Sequence, residues 1–217
     1  MSSHHFVIDG QEPALIIANG DSCSIKLLTS LIEWCPYVVV LDGAYSRVKS
    51  LQIKPDLVIG DFDSIDSSLK DIDVKFVKSA DQETTDLEKA IDYLIANKTN
   101  DINIIWATGR RLDHTINNFN LLAKYKNHNV VIYDDFSRAY KIEGDFKKHY
   151  PKGTKISLFP ISKANNITTN NLVYNLQNET LETGIKSGSS NEVKSTGLVS
   201  ITHSSGTLIL IESTDEI

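Results

Sequence analysis

The amino-acid sequence predicts an α/β domain with a mostly parallel, doubly wound sheet, followed by a small all-β sandwich. Three observations carry this expectation. From Ala14 to about Glu143, short and nearly continuous apolar runs alternate with amphipathic stretches. Such runs suit strands buried on both faces, as in a parallel sheet covered by helices. Near Gly144 the texture changes to short, alternating, β-rich segments separated by turn-formers. Finally, glycine, aspartate and other polar residues of the first half gather just after the apolar runs, the edge at which open α/β sheets bind ligands.

Taken in order, strands are expected at 14–18, 38–41, 57–59, 74–77, 102–107 and 130–133. Helical spacing of apolar residues is found at 24–34, 86–97 and 115–125. Thr85 supplies an N-cap and Asp86 an acidic first turn for the second of these. The later strands are expected at 155–160, 172–176, 180–183, 198–203 and 207–212, with a polar loop at 186–195 contributing little to stability. The domains divide as 1–143 and 144–217. A β domain of about 70 residues is small for an independent core and should lean on the first domain or on another subunit.

Composition narrows the function classes. The 217 residues are 41% hydrophobic and 23% charged, with a net charge of −6. That balance favours no polyanion partner, so nucleic acid is not expected. No apolar stretch approaches the roughly 20 residues of a membrane span, and the start has no basic and apolar leader. Cys23 and Cys35 form no CxxC pair and read as reduced thiols of a cytoplasmic protein.

The polar residues after the strands carry the chemistry. Asp61 and Asp63 follow the apolar run that ends at Gly60, and in extended chain residues two apart face the same way. Two neighbouring carboxylates repel unless they share a proton or hold a cation, and hard oxygens suit Mg²⁺ carrying phosphates. The alternative is solvated loop aspartates or helix caps. Residues 81–86 form a second acidic strand-to-helix junction, where Thr85 and Asp86 can cap the helix and free N–H groups can meet a phosphate. After the run at 102–107 come Gly109, Arg110, Arg111, Asp113 and His114; arginines grip phosphate, and Asn117 and Asn118 follow on the next helix. Asp42-Gly43 and Asn19-Gly20-Asp21 are further turns of this kind. Neither GxxxxGK[ST] nor GxGxxG is present.

In order and spacing these segments resemble the thiamine pyrophosphokinases: Asp42-Gly43, Pro55-Asp56 through Gly60-Asp61-Phe62-Asp63-Ser64, Asp81 through Thr85-Asp86, Gly109 through His114, and Ser190-Asn191. The resemblance runs from about Ile16 to Ile209. It implies an α/β nucleotide-binding catalytic domain and a thiamine-binding β-sandwich in a homodimer, with thiamine at the subunit interface. It also implies transfer of the diphosphate of ATP to thiamine, with Mg²⁺ on Asp61, Asp63 and Asp86. ATP would meet Asn19, Gly20, Asp42, Gly43, Arg47, Gly109, Arg110, Arg111, Asp113 and His114. Thiamine would meet Gln82, Thr85, Asp86, Ser190 and Asn191, with Asp113 or Asp86 able to accept the hydroxyl proton. Two departures stand out: Ala44 where the family often has Gly, and Asn171 where Gly commonly precedes Leu-x-Tyr/Trp-x-Leu. Two other functions use the same residues, a different Mg²⁺-dependent phosphotransferase or phosphohydrolase, and a nucleotide-binding protein without turnover.

Overall fold

The computed structural model describes residues 12–62, 74–78 and 83–213. Asp63 and Gln82 lie outside these residues, as do Ser64 and Asp81. The chain forms two compact units. One holds the described residues up to Leu121 together with Asn127–Asp134; the other holds Leu122–Lys126 and the chain from Asp135 onward.

The first unit is built on β1 (Ala14–Ile17), β2 (Tyr37–Leu41), β3 (Leu57–Gly60), β4 (Lys75–Lys78), β5 (Asp101–Ile105) and β6 (Asn129–Tyr133). They lie in the order β4-β3-β2-β1-β5-β6, and every neighbouring pair is parallel. All residues of β1 and β3 are buried, which explains their unbroken apolar runs. The chain adds strands outward from β1 to β4, then returns to the other side of β1 for β5 and β6. That reversal parts the connections at the carboxyl ends of β1 and β5 and leaves a crevice there.

The helices are α1 (Ile25–Trp34), α2 (Asp42–Ser50), α3 (Asp86–Ala96) and α4 (Leu112–Lys124). Ser24 caps α1, its hydroxyl accepting the Leu27 amide at 3.3 Å. Helix α3 opens with a complete capping box between Thr85 and Glu88 and buries Leu87, Ala90, Ile91 and Leu94 against the sheet. Helix α2 was not expected from the sequence. Its polar composition and early Gly43 hide it, yet Ala44, Tyr45 and Val48 at helical spacing are buried. Asp42-Gly43 therefore opens a helix directly rather than forming a turn, and α4 begins at Leu112, earlier than 115.

The second unit contains β7 (Ser137–Ile142), β8 (Asp145–Tyr150), β9 (Lys155–Asn170), β10 (Glu179–Glu182), β11 (Gly188–Glu192), β12 (Gly197–Thr202) and β13 (Ser205–Ser213). All its described pairings are antiparallel, and β9 is the hub, meeting β10, β11, β12 and β13. Three expectations are corrected here. Strand β9 continues well past 160, residues 172–176 form a turn instead of a strand, and the stretch read as a loop contains β11. The reason is local: Ser162 and Asn166 take positive φ (+65° and +55°) and break the alternation. Buried positions pass from Ile156, Leu158 and Pro160 to Ile167 and Thr169, so the inward face changes parity along one strand.

Glu212 of β13 joins three strands of this unit. It is buried, and its carboxylate accepts hydrogen bonds from Tyr140 (2.8 Å), Lys148 (2.8 Å), Tyr150 and Arg138. Burial alone pushes the Glu212 carboxyl up, but Lys148, Tyr150, Arg138 and Tyr140 together hold it below the usual carboxylate value. A carboxyl held lower in the folded chain adds stability above its unfolded pKa of about 4.3, and that stability is lost as pH falls through the folded value. Glu212→Gln should therefore cost about 2 to 4 kcal/mol near neutral pH and flatten the fall of melting temperature below about pH 4. Melts of both proteins across pH test this, and parallel curves would contradict it.

Candidate functional site

The carboxyl ends of β1, β2 and β5 and the amino ends of α3 and α4 surround a cleft of ≈ 400 Å³ within the first unit. Past β1 the chain turns through Asn19-Gly20-Asp21, and this turn is laced to the loop after β5. Ala18 N–H donates to Ile105 O (2.9 Å), Gly20 N–H to Trp106 O (2.5 Å) and Asp21 N–H to Thr108 O (2.8 Å). Arg110 N–H returns a bond to Asp21 Oδ2 (3.2 Å). A Cβ on Gly20 would stand 2.2 Å from Thr108 O, so only glycine permits the approach. Trp106, Gly109 and Arg110 all take left-handed φ (+56°, +77° and +52°), which curls the second loop around the first.

Asp42 closes the end of β2. It is buried, with Oδ1 accepting Gly43 N–H (2.6 Å) and Oδ2 accepting Phe62 N–H (2.9 Å). Burial pushes its carboxyl up; the two amide bonds oppose this, while the charges of Asp86 and Asp61 add to the rise. Asp42 thus feels two other carboxylates at this edge, and a divalent cation relieves such repulsion. Among the described residues no three His, Cys, Asp or Glu side chains stand close enough to hold an ion by themselves. Mg²⁺ keeps several waters and substrate phosphates in its shell, so one or two carboxylates suffice for it. The hard carboxylate oxygens present here fit that ion.

Thr85 and Asp86 line the cleft at the start of α3, where Asp86 pairs with Lys89 Nζ at 3.1 Å. From α4 come His114 and Asn118, the latter buried and donating from Nδ2 to Ala107 O at 2.8 Å. Arg111 lines the cleft too, and its Nε and Nη2 pair with Asp113 at 3.1 and 2.5 Å. The Arg111 hydrogen bond holds the exposed Asp113 carboxyl down to about 2, so it is a weak proton acceptor near neutral pH.

Of the residues singled out in the sequence, Asn19, Gly20, Asp42, Thr85, Asp86, Gly109, Arg110, Arg111 and His114 line this one cleft. Gly43, Arg47, Asp61 and Asp113 are not among its lining residues. Ser190 and Asn191 belong to β11 of the second unit. Ser190 is exposed with φ +59°, its amide donating to Ser157 Oγ at 3.0 Å. Asn191 is buried: Oδ1 accepts from Tyr174 N–H (3.1 Å) and Glu192 N–H (2.9 Å), and Nδ2 donates to Tyr174 O (2.7 Å). It clamps the turn that leaves the Tyr174 side chain exposed, so the expectation of a stability-neutral loop does not hold at this position. Asn171 takes φ +66°, the left-handed conformation that asparagine tolerates.

Comparison with known proteins follows the same division. The model of the thiamin pyrophosphokinase catalytic domain matches residues 28–133, and that of the thiamin pyrophosphokinase vitamin B1 binding domain matches residues 140–208. A thiamine pyrophosphokinase of Bacillus subtilis is 30% identical over 216 residues, which is 92% of this chain and 98% of that protein. The chain belongs to the thiamine pyrophosphokinase family. A Caenorhabditis elegans thiamin pyrophosphokinase is 28% identical over 211 residues, 89% of this chain and 86% of its own length. The crystal structure of a Bacillus subtilis thiamine pyrophosphokinase superposes with a TM-score of 0.79 at 24% identity, over 94% of this chain and 100% of that one, and shares its fold.

Sequence reading passed over two residues of this family member that the structure brings to the cleft's surroundings. Trp106 reads as the end of a strand, and nothing in one dimension marks its positive φ or the Arg47 guanidinium 4.5 Å over its ring. Lys89 was not singled out, although its spacing of three residues from Asp86 on the expected helix offered the signal. The buried clamp at Asn191 also separates two neighbours. Asn191→Ala should cost about 1 to 3 kcal/mol, whereas Ser190→Ala should change stability by less than about 0.5 kcal/mol. Chemical denaturation of the two single variants measures both, and equal midpoints would refute the difference.

Proposed function

We propose that the chain transfers the diphosphate of ATP to the primary hydroxyl of thiamine, giving thiamine diphosphate and AMP. The observation that supports this most is the composition of the cleft: Arg110 and Arg111 line it together with Asp42 and Asp86 and the amino ends of α3 and α4, at a strand-order reversal. Phosphoryl-type transfer asks mainly for alignment and charge neutralisation, which guanidiniums, helix N-termini and a metal-binding carboxylate edge supply.

In this reading the polyphosphate lies along the β1–β5 crevice, near Asn19, Gly20, Arg110 and Arg111, with His114 at the start of α4. Asp61, Asp63 and Asp86 would hold Mg²⁺, which neutralises phosphate charge when bound. The thiamine oxygen forms its bond to the β-phosphorus as the bond from that phosphorus to the α–β bridging oxygen breaks, and the bridging electrons leave with AMP. The hydroxyl proton passes to a carboxylate of the cleft or to water. In this reading the acceptor is Asp86, which lines the cleft, or Asp113, which pairs with Arg111.

Thiamine recognition is assigned to Gln82, Thr85 and Asp86, and, in the half that resembles vitamin B1 binding domains, to Ser190 and Asn191. The same proposal takes 1–143 as the ATP-binding catalytic domain, 144–217 as the thiamine-binding domain, and a cytoplasmic homodimer as the working form. It also takes the first unit as doubly wound and the second as a sandwich. In support, α1 and α2 share one core cluster without α3, and β9 pairs with β13 along its first part and with β12 only at its last residues, 168–170, beyond the change of inward face. No described helix is long and apolar enough to cross a membrane.

The decisive measurement is AMP formation with and without thiamine and Mg²⁺. AMP release should require both, and Asp61→Asn should lower turnover by about a hundredfold or more with an unchanged melt. Phosphate release without thiamine would indicate a different phosphohydrolase, and ATP binding without turnover a binding protein.

A further inference from the structure

Arginine carries hydrogen-bond donors only, so any side-chain atom that accepts from it must be an oxygen here. Asn19 Oδ1 lies 3.0 Å from Arg47 Nη2 and 3.3 Å from Arg110 Nη1. Two guanidiniums on one side settle the orientation of the amide, which at an isolated asparagine is ambiguous. Nδ2 must face the other way, over Gly43, where a Cβ would stand only 2.2 Å from it. Among the described residues no hydrogen bond ties up Nδ2, and Asn19 lines the cleft. Two unused N–H donors therefore stand beside Arg110 and near the amino end of α2, surroundings that both favour an anionic oxygen.

Arg47 is held on several sides without lining the cleft itself. Its Nη1 donates to Ser22 Oγ at 3.0 Å, its guanidinium carbon sits 4.5 Å over the Trp106 ring, and its Nε is buried with no hydrogen-bond partner among the described residues. Burial and then the Arg110 charge hold its pKa below the usual value, with Asp21 opposing them. A cation fixed this firmly gives the Asn19 amide one orientation.

We propose that Asn19 donates from Nδ2 to a phosphate oxygen of the nucleotide, and that Arg47 is a positioning residue that acts through Asn19 rather than on the ligand. This rests on the nucleotide reading of the cleft and assigns roles within it. Trp106 and Ser22 act one step further back, by seating Arg47.

Asn19→Asp separates the donor role from a purely structural one. The substitution is nearly isosteric and keeps an acceptor for both arginines, but it replaces the donors with a charged oxygen. The full-length protein should bind ATP about tenfold or more weakly by calorimetry, while adenosine affinity stays within about twofold and the melting temperature does not fall. Asn19→Ala, which removes the donors without adding charge, should also lose more ATP than adenosine affinity. Arg47→Lys, which lacks the planar fork, should weaken ATP by about threefold to tenfold and leave adenosine unchanged. Parent-like ATP binding by Asn19→Asp would overturn the proposal, as would equal losses for ATP and adenosine. A parent protein that binds no ATP would overturn the nucleotide site itself, a result distinct from either.

Discussion

The lacing of the β1 turn to the loop after β5 is the constraint on which the site depends. Three backbone amides of residues 18–21 donate into residues 105–108, and the Asp21 carboxylate takes the Arg110 amide in return. Without these bonds the crevice at the strand-order reversal would expose backbone donors and acceptors to no purpose. With them, the two loops become one rigid rim. Gly20 allows the backbones to meet, and the left-handed residues Trp106, Gly109 and Arg110 turn the later loop so that Arg110 reaches Asn19. The arginines are thereby placed by main-chain geometry before any ligand arrives, which lowers the ordering cost of binding.

Charge is distributed around that rim in two opposed groups. Arg47 and Arg110 converge on a neutral amide, and the Asp21 charge partly offsets the burial and the Arg110 charge felt by Arg47. Asp42 feels the negative charges of Asp86 and Asp61 and stays anchored by the Gly43 and Phe62 amides. Each group is costly by itself and complementary to a different part of a metal–polyphosphate. Lys89, salt-bridged to Asp86, is the local cation that partly offsets the acidic edge.

The second unit solves a different problem. It is small, and its hub strand changes face along its length, so polar groups pin what a large apolar core otherwise would. Glu212 ties β13 to β7 and β8 through two cations and two phenols. Asn191 ties β11 to the 172–175 turn through both of its amide ends. Both side chains are buried and satisfied, the condition under which a polar group specifies structure rather than weakening it.

The sequence by itself determined the element types of the first unit, because burial on both faces writes an unbroken apolar run for each parallel strand and helical spacing for α1 and α3. It also placed the glycine and acidic residues after the strands, so most of the cleft's lining was legible before any fold was known. The local code failed where a contact distant in sequence overrides it. Helix α2 is polar along most of its length and forms because Ala44, Tyr45 and Val48 are buried. Strand β9 runs through two bulges because partners on both sides hold it. Asn191 reads as loop composition and becomes a core clamp because Tyr174 is folded against it. Arg47 and Trp106 are 59 positions apart in number, and only the tertiary structure stacks one on the other and turns Asn19 toward the cleft. Side-chain orientation of that kind is set by partners supplied from other strands, and no one-dimensional pattern records which partners those are.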